Sequence, residues 1–150
     1  MKRFDCLKIL ASLVDEHMLA VTSLSTNTPF WFNVRPQGPN FFALNMGLCL
    51  PFALGLSVAF PKRRIVSIDS DGSLMNDSSS LITVADVNPA NLVAFVMDNG
   101  SYAFMGSTFT VNATTNPTLP SICFDLRNTV PPRHHVTLST YAHGNPYPCR

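Results

Sequence analysis

Two polar segments of this sequence carry side chains that could bind a metal ion. Asp71 stands in one of them, directly before Gly72 and Ser73, and Asn99 stands in the other. A carboxylate and an amide oxygen are hard ligands that suit Mg²⁺ or Ca²⁺ rather than zinc. Mg²⁺ commonly fills its open positions with water and phosphate oxygens, and the N–H groups of Gly72 and Ser73 could receive a diphosphate at the start of a helix. The pattern predicts a metal–diphosphate site.

Each polar segment follows a short apolar run rich in β-branched residues. Residues 64–69 and 91–97 are predicted to be strands, and the segment between them is long enough for a helix with its loops. Strands separated in this way indicate a parallel βαβ unit, whose ligands bind beyond the carboxyl ends of the strands. Singly, Asp71 and Asn99 are more typical of turns or helix caps, but their joint placement at these ends favours a binding site.

The remaining elements also fit an α/β chain. The sequence predicts an amphipathic helix at 3–15, a buried strand at 19–24, a short helix at 30–34, a strand at 41–44, a helix after a turn at 45–47, and one more strand within 103–111. We therefore predict a three-layer α/β fold with a central, mostly parallel sheet. Prolines interrupt every pattern further on, so residues 1–115 are predicted to be the folded domain and 116–150 an irregular tail.

An uncharged run at residues 41–60 raises a second possibility, a small membrane protein. A span of this length with basic residues after it is typical of a transmembrane helix. The turn at 45–47, however, leaves only about 14 helical residues, or roughly 21 Å, against a hydrocarbon core of about 30 Å. A buried helix is the favoured interpretation.

Composition narrows the class of protein. The chain has 150 residues, 46% of them hydrophobic and only 13% charged, where about a quarter is usual, which indicates a large buried interface. A net charge of +1, with no basic run beyond residues 62–64, argues against nucleic-acid binding. The four cysteines are widely spaced, which predicts neither a zinc site nor a disulfide framework, and with no signal-like N-terminus we expect a cytoplasmic protein.

The segment Ser70-Asp71-Gly72-Ser73, followed at the right distance by Asn99, resembles the thiamine diphosphate motif, which begins G-D-G and ends in asparagine. The resemblance extends through residues 45–55 and the opening residues 1–7, and it covers residues 1 to about 110. The chain is similar to the C-terminal, diphosphate-binding domain of thiamine diphosphate-dependent decarboxylases. In particular, it resembles the β subunits of sulfopyruvate decarboxylase and the related phosphonopyruvate decarboxylases.

The resemblance implies a role for each residue of the motif. Asp71 and the Asn99 side chain would hold Mg²⁺, and the Ser101 carbonyl would be a third ligand, so that Asn99 and Ser101 belong to the cofactor site as well. Gly72 and Ser73 would contact the diphosphate. The implied cofactors are thiamine diphosphate and Mg²⁺, and the implied reaction is the decarboxylation of a 2-oxo acid.

Further residues receive implied roles upstream of the motif. Met46 would be the bulky apolar residue under the bent cofactor, and the Leu44 carbonyl would accept from its aminopyrimidine. Enzymes of this family also need a glutamate that protonates the aminopyrimidine, but the single glutamate here, Glu16, lies outside any cofactor motif. No catalytic residue is therefore expected in this chain, and a pyrimidine-binding α subunit in a hetero-oligomer would supply the glutamate. Arg35 is a candidate for binding an acidic group of the substrate.

Three departures from the family pattern favour an alternative function. Ser70 replaces the first glycine of the motif, where a positive φ would strain a serine but a negative φ would accept it, and residues 76–80 are polar where relatives are more apolar. The tail after about residue 115 does not resemble the elements that close the sheet in this family, so the fold is predicted to be incomplete at its C-terminus. The alternative is a truncated or decayed homologue that binds the cofactor without catalysis.

Overall fold

The computed structural model describes residues 2–98, 101 and 102, and the backbone of strands at 108–109, 121–125 and 137–141. A four-stranded parallel sheet forms the centre of the described chain. The elements, in chain order, are α1 Arg3–Leu13, β1 Leu19–Ser23, α2 Asn27–Val34, β2 Asn40–Leu44, α3 Cys49–Ala59, β3 Ile65–Ser70, α4 Asp71–Asn76, α5 Ser80–Val87, β4 Leu92–Met97, β5 Ser101–Tyr102, β6 Thr108–Phe109, β7 Ser121–Asp125 and β8 Thr137–Tyr141.

Helices cover both faces of the sheet, which explains why side chains on both sides of its central strands are buried. Every residue of β1 is buried, as are all but the last of β3. Successive strand residues point to opposite faces, so Val21 packs with Leu50 of α3 while Ala20 packs with Trp31 of α2. Helices α1 and α2 form one outer layer, and α3 and α5 form the other. The predicted three-layer α/β fold with a parallel sheet is confirmed.

The order of strands fixes where a ligand can enter. The sheet runs β2-β1-β3-β4, so the chain moves outward from β1 to β2 and then returns to place β3 on the other side of β1. The order of strands therefore reverses between β1 and β3. In open parallel sheets the crevice for ligands opens at such a reversal, beyond the carboxyl ends of the strands.

Arg35 lies at the opposite, amino-terminal edge of the sheet, so its interpretation as a substrate-binding residue is wrong. Its guanidinium donates to Oδ1 of Asn40, the first residue of β2, at 2.7 Å, and to the Asp15 carbonyl at 2.8 Å. The guanidinium also lies 5.9 Å from the ring centre of the buried Trp31. These contacts connect the end of α2 to the start of β2 and to the loop after α1, so the role of Arg35 is structural.

The uncharged run at 41–60 divides into most of β2, a turn and α3. Gly47, with φ +81°, lies in the turn, and α3 has 11 residues. Across the described residues, the structure has no helix with both the length and the apolar character needed to cross a membrane.

Two strands lie in the segment for which we expected only irregular chain. β7 and β8 pair antiparallel, so that expectation is wrong for residues 121–125 and 137–141. The prolines of the segment stand outside both strands, and each strand is rich in apolar, aromatic or β-branched residues. Proline therefore separates the strands and does not prevent them. Likewise, a two-residue strand, β6, lies in the predicted range 103–111.

Candidate functional site

The turn between β3 and α4 carries the first half of the motif, and it accommodates serine without strain. Ser70 is the N-cap of α4 with φ −117° and ψ 158°, an extended conformation open to any residue. Its hydroxyl oxygen accepts the N–H of Ser73 at 3.3 Å. Of the two alternatives for Ser70, the structure therefore has the unstrained one, because φ at this residue is negative.

Asp71 and Gly72 open α4 directly beyond the carboxyl end of β3. Asp71 is only 1% exposed, although it is an acidic residue. A Cβ on Gly72 would lie 2.4 Å from Cε1 of Tyr102, and the Tyr102 hydroxyl donates to the Gly72 carbonyl at 3.1 Å. Residue 72 must therefore be a glycine, because any side chain there would prevent the tyrosine ring from approaching this closely.

The structure brings the ends of the two motif strands together, as the sequence predicts. Ser70 pairs with Met97 in adjacent parallel strands, so the segments that follow β3 and β4 leave the same edge of the sheet. The Tyr102 contact places strand β5, and with it the Ser101 backbone, next to the turn at Gly72. Asn99, the predicted amide ligand, lies outside the described residues.

The turn that carries Met46 packs against α4. The Gly47 N–H donates to the Ser73 hydroxyl at 3.1 Å, and Nδ2 of Asn76 donates to the Met46 carbonyl at 3.2 Å. The Met46 side chain is 37% exposed. The structure thus joins residues from both sequence segments assigned to the cofactor, and it does so through the Ser73 hydroxyl, which is already engaged.

The Leu44 carbonyl has a protein partner. It accepts the N–H of Leu24 at 2.8 Å, just past the end of β1. A carbonyl oxygen has two acceptor positions, so one remains for a ligand. Leu44 itself is half-buried and packs against the α3 face of the core.

A buried polar cluster at the carboxyl ends of β1 and β3 contains residues that the sequence analysis missed. Oδ1 of Asp69 accepts the Ser70 N–H at 2.8 Å, and Nδ2 of Asn27 donates to the Ser23 hydroxyl at 3.3 Å. Oδ2 of Asp69 and Oδ1 of Asn27 are buried and have no hydrogen-bond partner among the described residues. An aspartate that ends an apolar strand was the available signal, since carboxylates are rarely fully buried without a partner.

The electrostatics of Asp69 follow from its position. Burial raises the pKa of its carboxyl, and the Asp71 carboxylate adds a smaller contribution in the same direction. Three polar groups near the carboxyl favour its ionised form and so oppose the rise in pKa: the Ser73 hydroxyl, the Ser70 N–H and the Ser23 hydroxyl. In the folded protein, the protonated form of Asp69 is therefore favoured relative to the unfolded chain.

Asp69→Asn is expected to change how stability depends on pH in metal-free buffer. Because folding raises the pKa of Asp69, its ionisation opposes folding: wild-type stability declines as pH rises from the unfolded pKa, about 3.9, through the folded pKa. Asparagine cannot ionise, so the variant should lack this decline. The free energy of unfolding of the variant should therefore increase relative to that of the wild type as the pH rises. Urea unfolding at several pH values measures the difference, and a constant difference would contradict the assignment.

The set of donors and acceptors fits a magnesium-bound diphosphate. Asp71 contributes a carboxylate and Gly72 a backbone N–H, the Ser73 N–H is shared with the Ser70 hydroxyl, and the space beside the Gly72 Cα is taken by the Tyr102 ring. Glu16, by contrast, is exposed and precedes β1, at the amino-terminal edge of the sheet. Among the described residues, no glutamate lies at the carboxyl-terminal edge of the sheet.

Comparisons with known proteins identify relatives of this chain. The family model described as "Thiamine pyrophosphate enzyme, C-terminal TPP binding domain" matches residues 20–134. The β subunit of sulfopyruvate decarboxylase from Methanocaldococcus jannaschii is 32% identical over 107 residues, which are 71% of this chain and 56% of that protein. Phosphonopyruvate decarboxylase from Streptomyces viridochromogenes is 30% identical over 119 residues, which are 77% of this chain and 29% of that protein.

A solved structure shares the fold. Benzoylformate decarboxylase from Polynucleobacter necessarius superposes with a TM-score of 0.58 and 16% sequence identity, over 71% of this chain and 22% of that one. At this identity the likeness concerns the fold alone. The chain spans little more than half the length of the Methanocaldococcus β subunit.

Proposed function

The chain belongs to the thiamine pyrophosphate enzymes, through their C-terminal TPP-binding domain, and on that premise we propose that it is a β-type subunit of a 2-oxo acid decarboxylase dependent on thiamine diphosphate and Mg²⁺. The relatives named as sulfopyruvate and phosphonopyruvate decarboxylases support that substrate class. The observation that carries the proposal is the turn at Asp71 and Gly72, which lies beyond β3 next to the reversal of strand order.

Each residue of the proposed site has one task. Asp71, with the Asn99 side chain and the Ser101 carbonyl, would hold Mg²⁺, and the Gly72 and Ser73 N–H groups would bind the diphosphate. Asp71 is the anionic member of this set, so it would contribute most of the attraction for the metal.

Two residues of the 44–47 segment complete the cofactor site. Met46 would support the bent cofactor from below, and the open acceptor position of the Leu44 carbonyl would take a hydrogen from the aminopyrimidine. When bound, thiamine diphosphate supplies the electron sink for decarboxylation, while the protein supplies position and electrostatics.

A partner subunit is part of the proposal. The activating glutamate would come from a pyrimidine-binding α subunit in a hetero-oligomer, which the name "subunit beta" of several relatives supports. Apolar side chains of the 46–52 segment are exposed and suit burial beneath such a partner: Met46, Leu48 and Phe52. A cytoplasmic location belongs to the same proposal.

Turnover in the presence and absence of the partner tests the function. We expect no CO₂ release from the chain alone, and release from sulfopyruvate or phosphonopyruvate when thiamine diphosphate, Mg²⁺ and a pyrimidine-binding α subunit are added. Pyruvate is the control substrate for specificity. If no 2-oxo acid is consumed by the assembled pair although the cofactor binds, the enzymatic proposal is wrong and the non-catalytic alternative stands.

One contact favours that alternative, a cofactor binder without catalysis. The Ser70 hydroxyl occupies the Ser73 N–H, one of the two groups assigned to the diphosphate. A diphosphate would have to displace this cap, whereas the family's glycine offers no such competitor. The serine is therefore expected to weaken binding without preventing it.

Ser70→Ala is expected to strengthen binding of magnesium pyrophosphate and to weaken the unliganded fold. An N-cap serine contributes about 1 kcal/mol, so its loss should lower the free energy of unfolding by about 1 kcal/mol. Because the diphosphate would no longer have to displace the cap, Kd should fall about fivefold, which corresponds to the same free energy. Calorimetric titration and urea unfolding measure the two effects, with exposed Ser78→Ala as the control. An unchanged or higher Kd in the Ser70 variant would show that the cap does not compete.

A further inference from the structure

Strand β2 contains a β-bulge one residue before its end. Val21 pairs with Phe41, and Ser23 pairs with Leu44, so β2 has one more residue than β1 over the same length. Within the bulge Ala43 has φ +58°, a conformation that alanine rarely adopts. Such a conformation persists only where surrounding contacts enforce it. The bulge sets the direction in which the chain leaves the sheet toward Met46.

Thr28 in the first turn of α2 holds this bulge in place. Its hydroxyl accepts the Ala43 N–H at 2.9 Å, donates to the Ser23 carbonyl at 3.0 Å, and lies 2.8 Å from the Thr22 hydroxyl, which is then the donor. One donor and two acceptor positions are all that a hydroxyl has. The Thr28 hydroxyl is thus fully engaged within the protein and has no capacity left for a ligand.

Asn76 at the end of α4 holds the same segment from the other side. Its amide donates to the Met46 carbonyl, and the neighbouring Gly47 N–H donates to Ser73. The Met46 side chain belongs to neither core cluster of the sheet. The contacts that the structure shows holding the Met46 turn are therefore hydrogen bonds to its backbone rather than core packing of its side chain.

We propose that Thr28 and Asn76 are positioning residues for Met46, holding its turn from α2 and α4 so that the side chain meets the thiazolium half of the cofactor. The inference rests on the proposed function, because it assigns the Met46 turn to the cofactor. Neither residue touches the diphosphate half of the site: the Thr28 hydroxyl is saturated, and the Asn76 amide faces the Met46 carbonyl.

Two ligand probes, thiamine diphosphate with Mg²⁺ and magnesium pyrophosphate, separate a positioning role from general damage to the fold. Asn76→Ala and Thr28→Val should each weaken binding of thiamine diphosphate with Mg²⁺ about fivefold, the equivalent of one hydrogen bond of about 1 kcal/mol, while binding of magnesium pyrophosphate stays unchanged. Thr28→Ser keeps the hydroxyl and should restore wild-type affinity. Ser78→Ala, on the exposed surface just after α4, is the matched control.

Amide hydrogen exchange gives a second measurement on the chain itself. Asn76→Ala should speed exchange at Gly47 and Leu48, and Thr28→Val should speed it at Ala43, with β3 unchanged. Equal weakening of both probes, or of neither, would overturn the inference. If the wild type binds neither probe, the proposed function fails, and the exchange rates alone then decide whether Thr28 and Asn76 hold the turn.

Discussion

Replacing Asp71 with alanine is expected to remove Mg²⁺-dependent binding of thiamine diphosphate, with a loss of affinity of at least about 100-fold. Mutating a residue that only hydrogen-bonds to a metal ligand costs up to about 100-fold in affinity, so losing a ligand itself should cost at least that much. Asp71 is the anionic ligand of the proposed set, since Asn99 and the Ser101 carbonyl are neutral. Its buried position at the start of α4 also strengthens its attraction for a cation relative to an exposed carboxylate.

Calorimetric titration of thiamine diphosphate at several Mg²⁺ concentrations measures this effect. Asp71→Asn keeps the shape of the side chain and should lose most of the metal dependence, which isolates the charge. Asp86→Ala, an exposed aspartate of α5, controls for the change in net charge. Metal-dependent binding within threefold of wild type in the Asp71→Ala variant would refute the assignment of Asp71 as the metal ligand.

Alanine at Gly72 and alanine at Gly55 are expected to have opposite effects on stability. The new Cβ at position 72 would lie 2.4 Å from the Tyr102 ring, so the ring must move and its hydroxyl must leave the Gly72 carbonyl. Such overpacking destabilises by about 1–3 kcal/mol. Among the described residues, no atom beyond the adjacent residues and the backbone of α3 itself lies within 4 Å of a Cβ at Gly55, where alanine should stabilise by roughly 0.5–1 kcal/mol.

Urea unfolding of both variants measures the two changes. Adding Tyr102→Ala to Gly72→Ala removes the ring that the new methyl group meets, so the double variant should lose less than the sum of its single changes. Tyr102→Phe separates the hydrogen bond from the ring contact. Equal effects at positions 55 and 72 would mean that Tyr102 does not pack on the turn.

Local patterns in the sequence predicted the architecture and the side-by-side placement of the two strands that carry the motif. Short apolar runs followed by polar turns predicted β3 and β4, and the strand register confirms that their ends lie side by side. The family resemblance drawn from Asp71, Gly72 and Asn99 is confirmed by the family match over residues 20–134. These features depend on periodicity and spacing within short segments, which a sequence displays directly.

Features that depend on contacts between distant segments were not predictable in the same way. The sequence left open whether Ser70 would be strained, because only the folded turn determines its φ. The buried pair Asp69 and Asn27 was missed, since their burial arises where two strands meet. The hydrogen bond from the Gly47 N–H to the Ser73 hydroxyl joins a turn to helix α4, and no local pattern in the sequence connects the two.

The pairing of β1 with β3 has a consequence for the order of folding. β1 and β2 lie close in sequence, as do β3 and β4. The central pairing of β1 with β3 joins residues that are farther apart in the chain, such as Leu19 and Ile65. Contacts between distant segments carry a larger loop-closure entropy and form more slowly. Ser23 belongs to the first βαβ unit and Asp69 to the second, so the crevice lies at the boundary between the two units. We expect the capacity to bind a ligand to appear in the last cooperative step of folding, after most of the secondary structure.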